Sequence, residues 1–485
     1  MSAGVETLFI DGKWAAADDG AHFDVLDPAS GEVIDRASDA GAAETRRAIA
    51  AAQGAFPQWS AETAYHRSAR LLEAHRLMLD RKEALAELLS LEQGKPLKAA
   101  RNEIGYAAEF LSWFAEEAKR VYGSTIPSSR AGHRFTVLRQ PLGVVAGITP
   151  WNYPISMITR KVAPALAAGC TIVLKPAEQT PLCAAAVVQI LADAGTLAGV
   201  VNLITTAQPG PVGEELLRSD IVRKLTFTGS TEIGKYLAAR SAETMKRVSM
   251  ELGGHAPMIV FDDADPAHAA KGAVLAKYLN TGQACISPNR ILVQRGIYRA
   301  FCEEFTARAG RLVAGRGSTP GVSIGPLVDG AALDKVAAQV QDAVSKGARL
   351  LSGGSRLEEG QLAKGWFYAP TVLADVDESM LIHREETFGP VAAIMPFDDE
   401  AEAVAKANAT EYGLASYVYT NDLGRATRVS EALRFGIVGI NDINPTAAAA
   451  PFGGIGVSGL GREGGADGID EYLDVKLIGQ VVGPA

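Results

Sequence analysis

Residues 229–236 read GSTEIGKY, one hydroxyl short of the nucleotide-triphosphate P-loop G-x-x-x-x-G-K-[ST]. Tyr236 stands where that loop carries the Ser or Thr that holds magnesium, and no nearby strand ends in a clear metal-binding aspartate. The stretch follows the run KLTFT and opens the helical segment EIGKYLAAR. It is therefore a strand-to-helix turn. It is either an ordinary connection or one whose glycine and free helix amides receive an anion.

The sequence around the turn repeats this rhythm. VVAGI, TIVLK, VVNLI, KLTFTG and VSMEL are short apolar or β-branched runs separated by helix-like segments such as SMITRKVAPALAAG and PLCAAAVVQILADAG. Such alternation implies right-handed crossovers and a parallel sheet covered on both faces. After ELGGHAP a second series begins, with PMIVFDD, RILVQRG, ARLLSGG, FGPVAAIMPF, LASYVYT and GIVGIND. The first 130 residues precede both series, with a short strand region (FDVLDPASGEVIDRAS) followed by segments of helical periodicity, AETAYHRSARLLEAHRLMLDRKEALAELLSLEQ and LKAARNEIGYAAEFLSWFAEEAKRVYG.

A chain of 485 residues is too long for one core. Its 47 basic and 56 acidic residues leave a net charge of −9, which disfavours a nucleic-acid scaffold. The start MSAGVETLFIDGKW shows no leader, and the two long uncharged stretches are broken by prolines and glycines, Pro141, Pro150 and Pro154 among them. No nucleic-acid or membrane partner is expected. Four cysteines without a CxxC pair indicate neither a disulfide framework nor a zinc site, and they suit a reducing cytoplasm.

Several short motifs carry possible chemistry. In NTGQACISPNR, Cys285 sits in a polar stretch, whereas Cys170, Cys183 and Cys302 lie in apolar periodic segments and read as core. A nucleophilic thiol needs partial exposure and surroundings that favour thiolate, which this context permits. ELGGHAP places Glu251 at a strand end before paired glycines, although a lone Glu is most often solvated or ion-paired. TPWNYP holds Asn152 between prolines, where it either stabilises its own turn or aims an amide at an oxyanion. LKPAEQTP ends a strand with Lys175 and then Glu178, a surface ion pair or a pair of ribose ligands. EETFGPV, with Glu386 and Phe388, reads as a loop before a strand.

Together TPWNYP, LKPAEQTP, FTGSTEIG, MELGGHAP, NTGQAC, EETFGPV and PFGGIGVSGLGREGG resemble, in order and spacing, the NAD(P)-dependent aldehyde dehydrogenase superfamily over essentially the whole chain. The resemblance makes GSTEIGKY a dinucleotide turn without G-x-G-x-x-G. It implies an α/β fold of two doubly wound open-sheet domains plus a small β oligomerisation arm. The expected boundaries are 1–120 and 141–252 for a Rossmann-like NAD-binding domain, 253–454 for a catalytic domain, and 121–140 with 469–485 for the arm. It further implies oxidation of an aldehyde to an acid through a thiohemiacetal and a thioester on Cys285, with no metal. Asn152 and the Cys285 N–H would stabilise the oxyanion, Glu251 would activate water, and Lys175 is grouped with these catalytic residues. Cofactor contacts carry over to Trp151, Lys175, Glu178, Gly229, Ser230, Glu386 and Phe388. The Glu178 carboxylate accepts a 2′-hydroxyl and repels a 2′-phosphate, so NAD is expected over NADP.

For substrate, SMITRK, DAVSKGARLLSGG and SGLGREGG look most like succinate-semialdehyde dehydrogenases, which grip a distal carboxylate with two arginines. Arg160 matches the first; Leu279 replaces the second; Thr446 lies where those enzymes add a hydroxyl. The expectation drawn from Leu279 is a more apolar pocket for medium aliphatic or aromatic aldehydes, with a dedicated semialdehyde enzyme as the alternative and an NAD-binding structural pseudo-enzyme as the non-catalytic one. A homodimer or homotetramer is expected.

Overall fold

Residues 6–482 are described in the computed structural model; residues 1–5, part of the start examined for a leader, and the last three residues of the 469–485 arm lie outside the described residues. The runs VVAGI, TIVLK, VVNLI, KLTFT and VSMEL form five parallel strands, Val144–Ile148, Thr171–Lys175, Val201–Leu203, Val222–Thr228 and Arg247–Glu251. They lie in an eight-stranded sheet. Alternate residues serve opposite faces. Val145, Ile172 and Leu174 join the core under helices Leu97–Glu117, Ser156–Ala168 and Pro181–Asp193, while Val144, Ala146 and Val173 join the core against helix Ala42–Ala61. Burial on both faces is why these strands read as unbroken apolar runs.

The second series forms a seven-stranded sheet with the same two-sided burial: Met258 and Val260 face one core, Ile259 and Phe261 the other. The chain is therefore α/β with two doubly wound sheets. Both sheets are mixed at their edges. Leu8–Ile10 and Lys13–Ala15 add antiparallel strands to the first sheet, and Gly459–Leu460 returns to pair with Met250 and Glu251. In the second, Arg349–Ser352 (within ARLLSGG) runs antiparallel to Thr371–Ala374, a strand with only four residues to announce it. FDVLDPASGEVIDRAS forms a separate hairpin, His22–Leu26 with Val33–Ser38. The first helix, Ala42–Ala61, is alanine-rich, so its buried face carries little apolar contrast.

Ser124–Pro127, His133–Pro141 and Leu473–Val481 form a three-stranded antiparallel sheet. Val475, Leu477 and Val481 share one face of the last strand by period two and are each more than 60 % exposed. The two large sheets meet end to end. Ile148, Lys175, Thr228 and Glu251 close strands of the first, while Ala256, Pro288 and Val391 open strands of the second. The loops between those ends hold TPWNYP, LKPAEQTP, the GSTEIG turn, ELGGHAP, NTGQAC and EETFGPV.

Candidate active site

The turn TPWNYP leaves Val144–Ile148 and enters helix Ser156–Ala168. Asn152, 4 % exposed, donates from Nδ2 to the Gln283 carbonyl at 3.1 Å. Its amide thus points at the loop that carries Cys285. That loop turns through three consecutive left-handed residues, Asn280 (φ 50°), Thr281 (φ 61°) and Gly282 (φ 76°), two of which are not glycine. Such backbone persists only where surrounding contacts over-determine it. Here the Asn280 side chain donates to the Asn152 and Gln283 carbonyls, Thr281 Oγ1 accepts from Gly325, and Tyr417 Oη donates to the Ile286 carbonyl at 2.9 Å. A Cβ at Gly254 would lie 2.3 Å from the Cys285 carbonyl oxygen, so the second glycine of ELGG lets the nucleophile loop pass over the strand junction. Cys285 is partly exposed, while Cys170, Cys183 and Cys302 are buried.

Glu251 ends its strand 4 % exposed, in a cluster that motif reading missed. Lys161 donates to Thr228 Oγ1 at 2.7 Å and pairs with Glu463; Arg160 Nε lies 3.1 Å from Glu463 Oε2. Burial raises the Glu251 carboxyl to about 8, helped by the Glu463 charge and opposed by Arg160 and Lys161. Burial pushes Glu463 the same way, but Lys161 and Arg160 outweigh it and hold Glu463 below the ordinary value. The signal was present as an adjacent Arg–Lys pair inside the otherwise apolar SMITRKVAPALAA.

The residues assigned to the cofactor sit past the carboxyl ends of strands in the first sheet and in the loop before Val391–Phe397. Trp151 and Phe388 meet edge to face at 5.5 Å, with Phe388 at φ 56°. Glu386 accepts from the Gly254 N–H at 2.9 Å; burial raises its carboxyl to about 7 despite that bond. A Cβ on Gly253 would lie 2.9 Å from Glu386 Oε2, so the first glycine makes room for that carboxylate. Gly229 donates to the Glu251 carbonyl, and Ser230 caps helix Thr231–Ala242 by accepting from Ile233 N. Lys175, 5 % exposed, reaches the Pro176 carbonyl at 3.0 Å and Glu178 at 3.6 Å; burial lowers the pKa of its ammonium. These contacts keep Lys175 with Glu178, and the lysine that joins the acid cluster around Glu251 is Lys161. A buried ammonium with donors to spare, free helix-start amides and a carboxylate held beside an aromatic pair suit a dinucleotide's hydroxyls and phosphates.

Of the substrate candidates, Arg160 is buried with its guanidinium 4.0 Å over the Phe452 ring. Among the described residues nothing accepts a hydrogen bond from Nη2. Thr446 Oγ1 donates to Asn444 Oδ1 at 3.3 Å, and Arg160 acts electrostatically on the nearby Tyr106. Thr446 and Phe452 line one cavity of about 190 Å³. Leu279 sits apart, 42 % exposed, one turn beyond the exposed Leu275.

The sequence pattern of the Aldehyde dehydrogenase family matches residues 14–478. The chain belongs to that family. It is an oxidoreductase acting on aldehydes, and the family uses NAD(P). It is 52 % identical over 473 residues to a glutarate-semialdehyde dehydrogenase of Pseudomonas putida, covering 98 % of this chain and 97 % of that one. It is 50 % identical over 473 residues, with the same shares covered, to the NADP(+) succinate-semialdehyde dehydrogenase of Escherichia coli. The crystal structure of an NADP-dependent enzyme of E. coli superposes with a TM-score of 0.96 at 49 % identity, covering 99 % of this chain and 98 % of that one.

In this aldehyde dehydrogenase the surroundings of Cys285, which its local sequence left open, do not favour thiolate. Burial first, then the Glu251 charge, push the thiol up to about 12; Arg160 pulls it down and Glu386 adds to the rise. A raised thiol pKa means less thiolate at neutral pH, so the nucleophile rests protonated. In the absence of dinucleotide, alkylation of Cys285 by iodoacetamide should quicken about tenfold per pH unit between pH 7 and 10. Glu251→Gln should shift that profile to lower pH. A plateau below pH 9 in the unsubstituted protein contradicts this electrostatic reading.

Proposed function

We propose that the protein oxidises a short aldehyde bearing a distal carboxylate, a succinate or glutarate semialdehyde, to the dicarboxylate. The observation that carries this is Arg160: a buried guanidinium stacked on Phe452 with an unpartnered Nη2 beside the catalytic cluster. A buried guanidinium N–H left without an acceptor is costly even beside the Glu463 ion pair, and a substrate carboxylate would supply that acceptor. The names of the relatives support the same reading. The apolar pocket inferred from Leu279 is set aside, because Leu279 is exposed while Arg160 is buried against Phe452, with the half-buried Tyr106 near it.

In this reading Cys285 Sγ attacks the aldehyde carbon as its thiol proton passes to water, and the carbonyl π bond opens to leave an oxyanion. The Asn152 amide and the Cys285 N–H stabilise the oxyanion; one such donor is worth about 3 kcal/mol. When bound, NAD supplies the hydride acceptor that turns the sulfur-bound carbon into a thioester. Glu251, titrating near 8, then takes a proton from water as it attacks the thioester, releasing the acid and restoring the thiol. Lys161 and Arg160 favour the charged form of that carboxylate and Glu463 opposes it. Trp151, Gly229, Ser230, Glu386, Phe388 and the Lys175–Glu178 pair hold the dinucleotide. Glu178 gives NAD the advantage over NADP, in contrast to the E. coli relative named for NADP(+). The setting is cytoplasmic, and the exposed apolar face of the 473–481 strand is where a second copy docks.

Two measurements test these assignments. With NAD, kcat/KM for succinate or glutarate semialdehyde should exceed that for hexanal and benzaldehyde by about 100-fold or more, and Arg160→Met should lower the semialdehyde value far more than the hexanal value, removing most of that margin. Hexanal matching the semialdehydes overturns the substrate reading; NADP matching NAD overturns the role of Glu178. Separately, the V475D/L477D double variant should show a smaller mass by light scattering than the parent chain. An unchanged mass rules out that face as the interface.

A further inference from the structure

Outside the acid cluster, one buried ion pair has no part in the chemistry described. Lys95 follows helix Lys82–Gln93, and Glu103 lies in helix Leu97–Glu117; their side chains are 1 % and 0 % exposed and 2.5 Å apart. Neither is a surface charge that happens to be covered, for each makes further bonds to the same short segment. Lys95 Nζ donates to the Asn152 carbonyl at 2.8 Å and sits 4.0 Å over the Tyr153 ring. Glu103 Oε1 accepts from Ile155 N at 3.0 Å and Ser156 N at 3.2 Å. The pair thus grips TPWNYP at Asn152 and Tyr153 and holds the two residues that follow it, Ile155 and Ser156. The Asn152 carbonyl has a second donor, Asn280 Nδ2 at 2.9 Å, from the nucleophile loop.

We infer that Lys95 and Glu103 are positioning residues that set the Asn152 amide against the Cys285 loop, with Asn280 as the link between turn and loop. This rests on the reading of Asn152 as an oxyanion donor. The physical reason is directional. An oxyanion donor acts only if it already stands where charge develops, and a proline-flanked turn between a strand and a helix has little besides these bonds to set its roll. A charge pair in a dry interior is stiff, because every displacement costs Coulomb energy that water does not screen. A shift of about 1 Å in such a group lowers the rate about 100-fold.

The test is a mutant cycle on the holoenzyme. The rate of the first NADH burst and the dissociation constant of NAD are measured for Asn152→Ala, for the neutralised pair K95M/E103Q, and for the triple variant. Asn280→Gly, which keeps the left-handed backbone and removes the second donor, is run in the same way. Expected are a burst about 10- to 100-fold slower in K95M/E103Q with NAD affinity within about twofold, and no further slowing when the same changes are made in Asn152→Ala, since the positioned group is gone. Equal losses in both backgrounds show a merely structural pair and overturn the inference. An undiminished burst in K95M/E103Q does so as well. If Asn152→Ala alone keeps its rate, the oxyanion reading fails first and takes the inference with it. Should K95M/E103Q not fold, Asn280→Gly decides by the same comparison: a loss confined to the Asn152 background supports the inference, and parallel losses overturn it.

Discussion

Glu251 and Glu463 are buried among the same two cations, Lys161 and Arg160, and the bonds are unevenly shared. Lys161 and Arg160 both contact Glu463, which stays ionised; Glu251 is left to feel burial and its neighbour's charge, and rises to about 8. A carboxyl at its ordinary pKa would be a poor base toward water at neutral pH. One lifted by several units is matched to the task. Burial, then the Glu251 and Glu386 charges, raise the Cys285 thiol, so thiol and carboxyl both favour their uncharged forms.

The fold supplies this arrangement by bringing the carboxyl ends of one parallel sheet against the amino ends of another. The junction works only because backbone replaces side chain at the closest points. Gly254 lies under the Cys285 carbonyl, Gly253 beside the Glu386 carboxylate, and Gly282 against the Gly389 carbonyl, where a Cβ would sit 2.1 Å away. Catalytic and cofactor-side groups thereby share a few residues of chain. Asn152 and Trp151 are neighbours in sequence, yet the first faces the Gln283 carbonyl and the second meets Phe388.

Most of the parallel core was legible because strands buried on both faces are written as unbroken apolar runs, and these recur in VVAGI, TIVLK and PMIVFDD. The antiparallel edges were not, since Leu8–Ile10 and Gly459–Leu460 are too short to show a period. Cys285, Glu251 and Asn152 stood out through their motifs, and the structure brings their loops together. Lys161, Glu463, Lys95 and Glu103 did not, because a buried charge is recognised by its partner, and the partners here are 302 and 8 residues away. The relatives favour the semialdehyde alternative over the apolar pocket drawn from Leu279. Leu279 was weighed as a missing arginine, whereas the proposed substrate rests on the Arg160 guanidinium, stacked on Phe452 with Nη2 unsatisfied, which only the fold reveals.

The central claim is that the reaction passes through a bond to Cys285 that Glu251 helps to break. Rapid quenching of the Glu251→Gln variant with NAD and succinate semialdehyde, followed by mass spectrometry of its peptides, tests this directly. The account predicts an acyl group on the Cys285 peptide in near-stoichiometric yield, matched by a burst of NADH. A burst of NADH with the Cys285 peptide unmodified would contradict it.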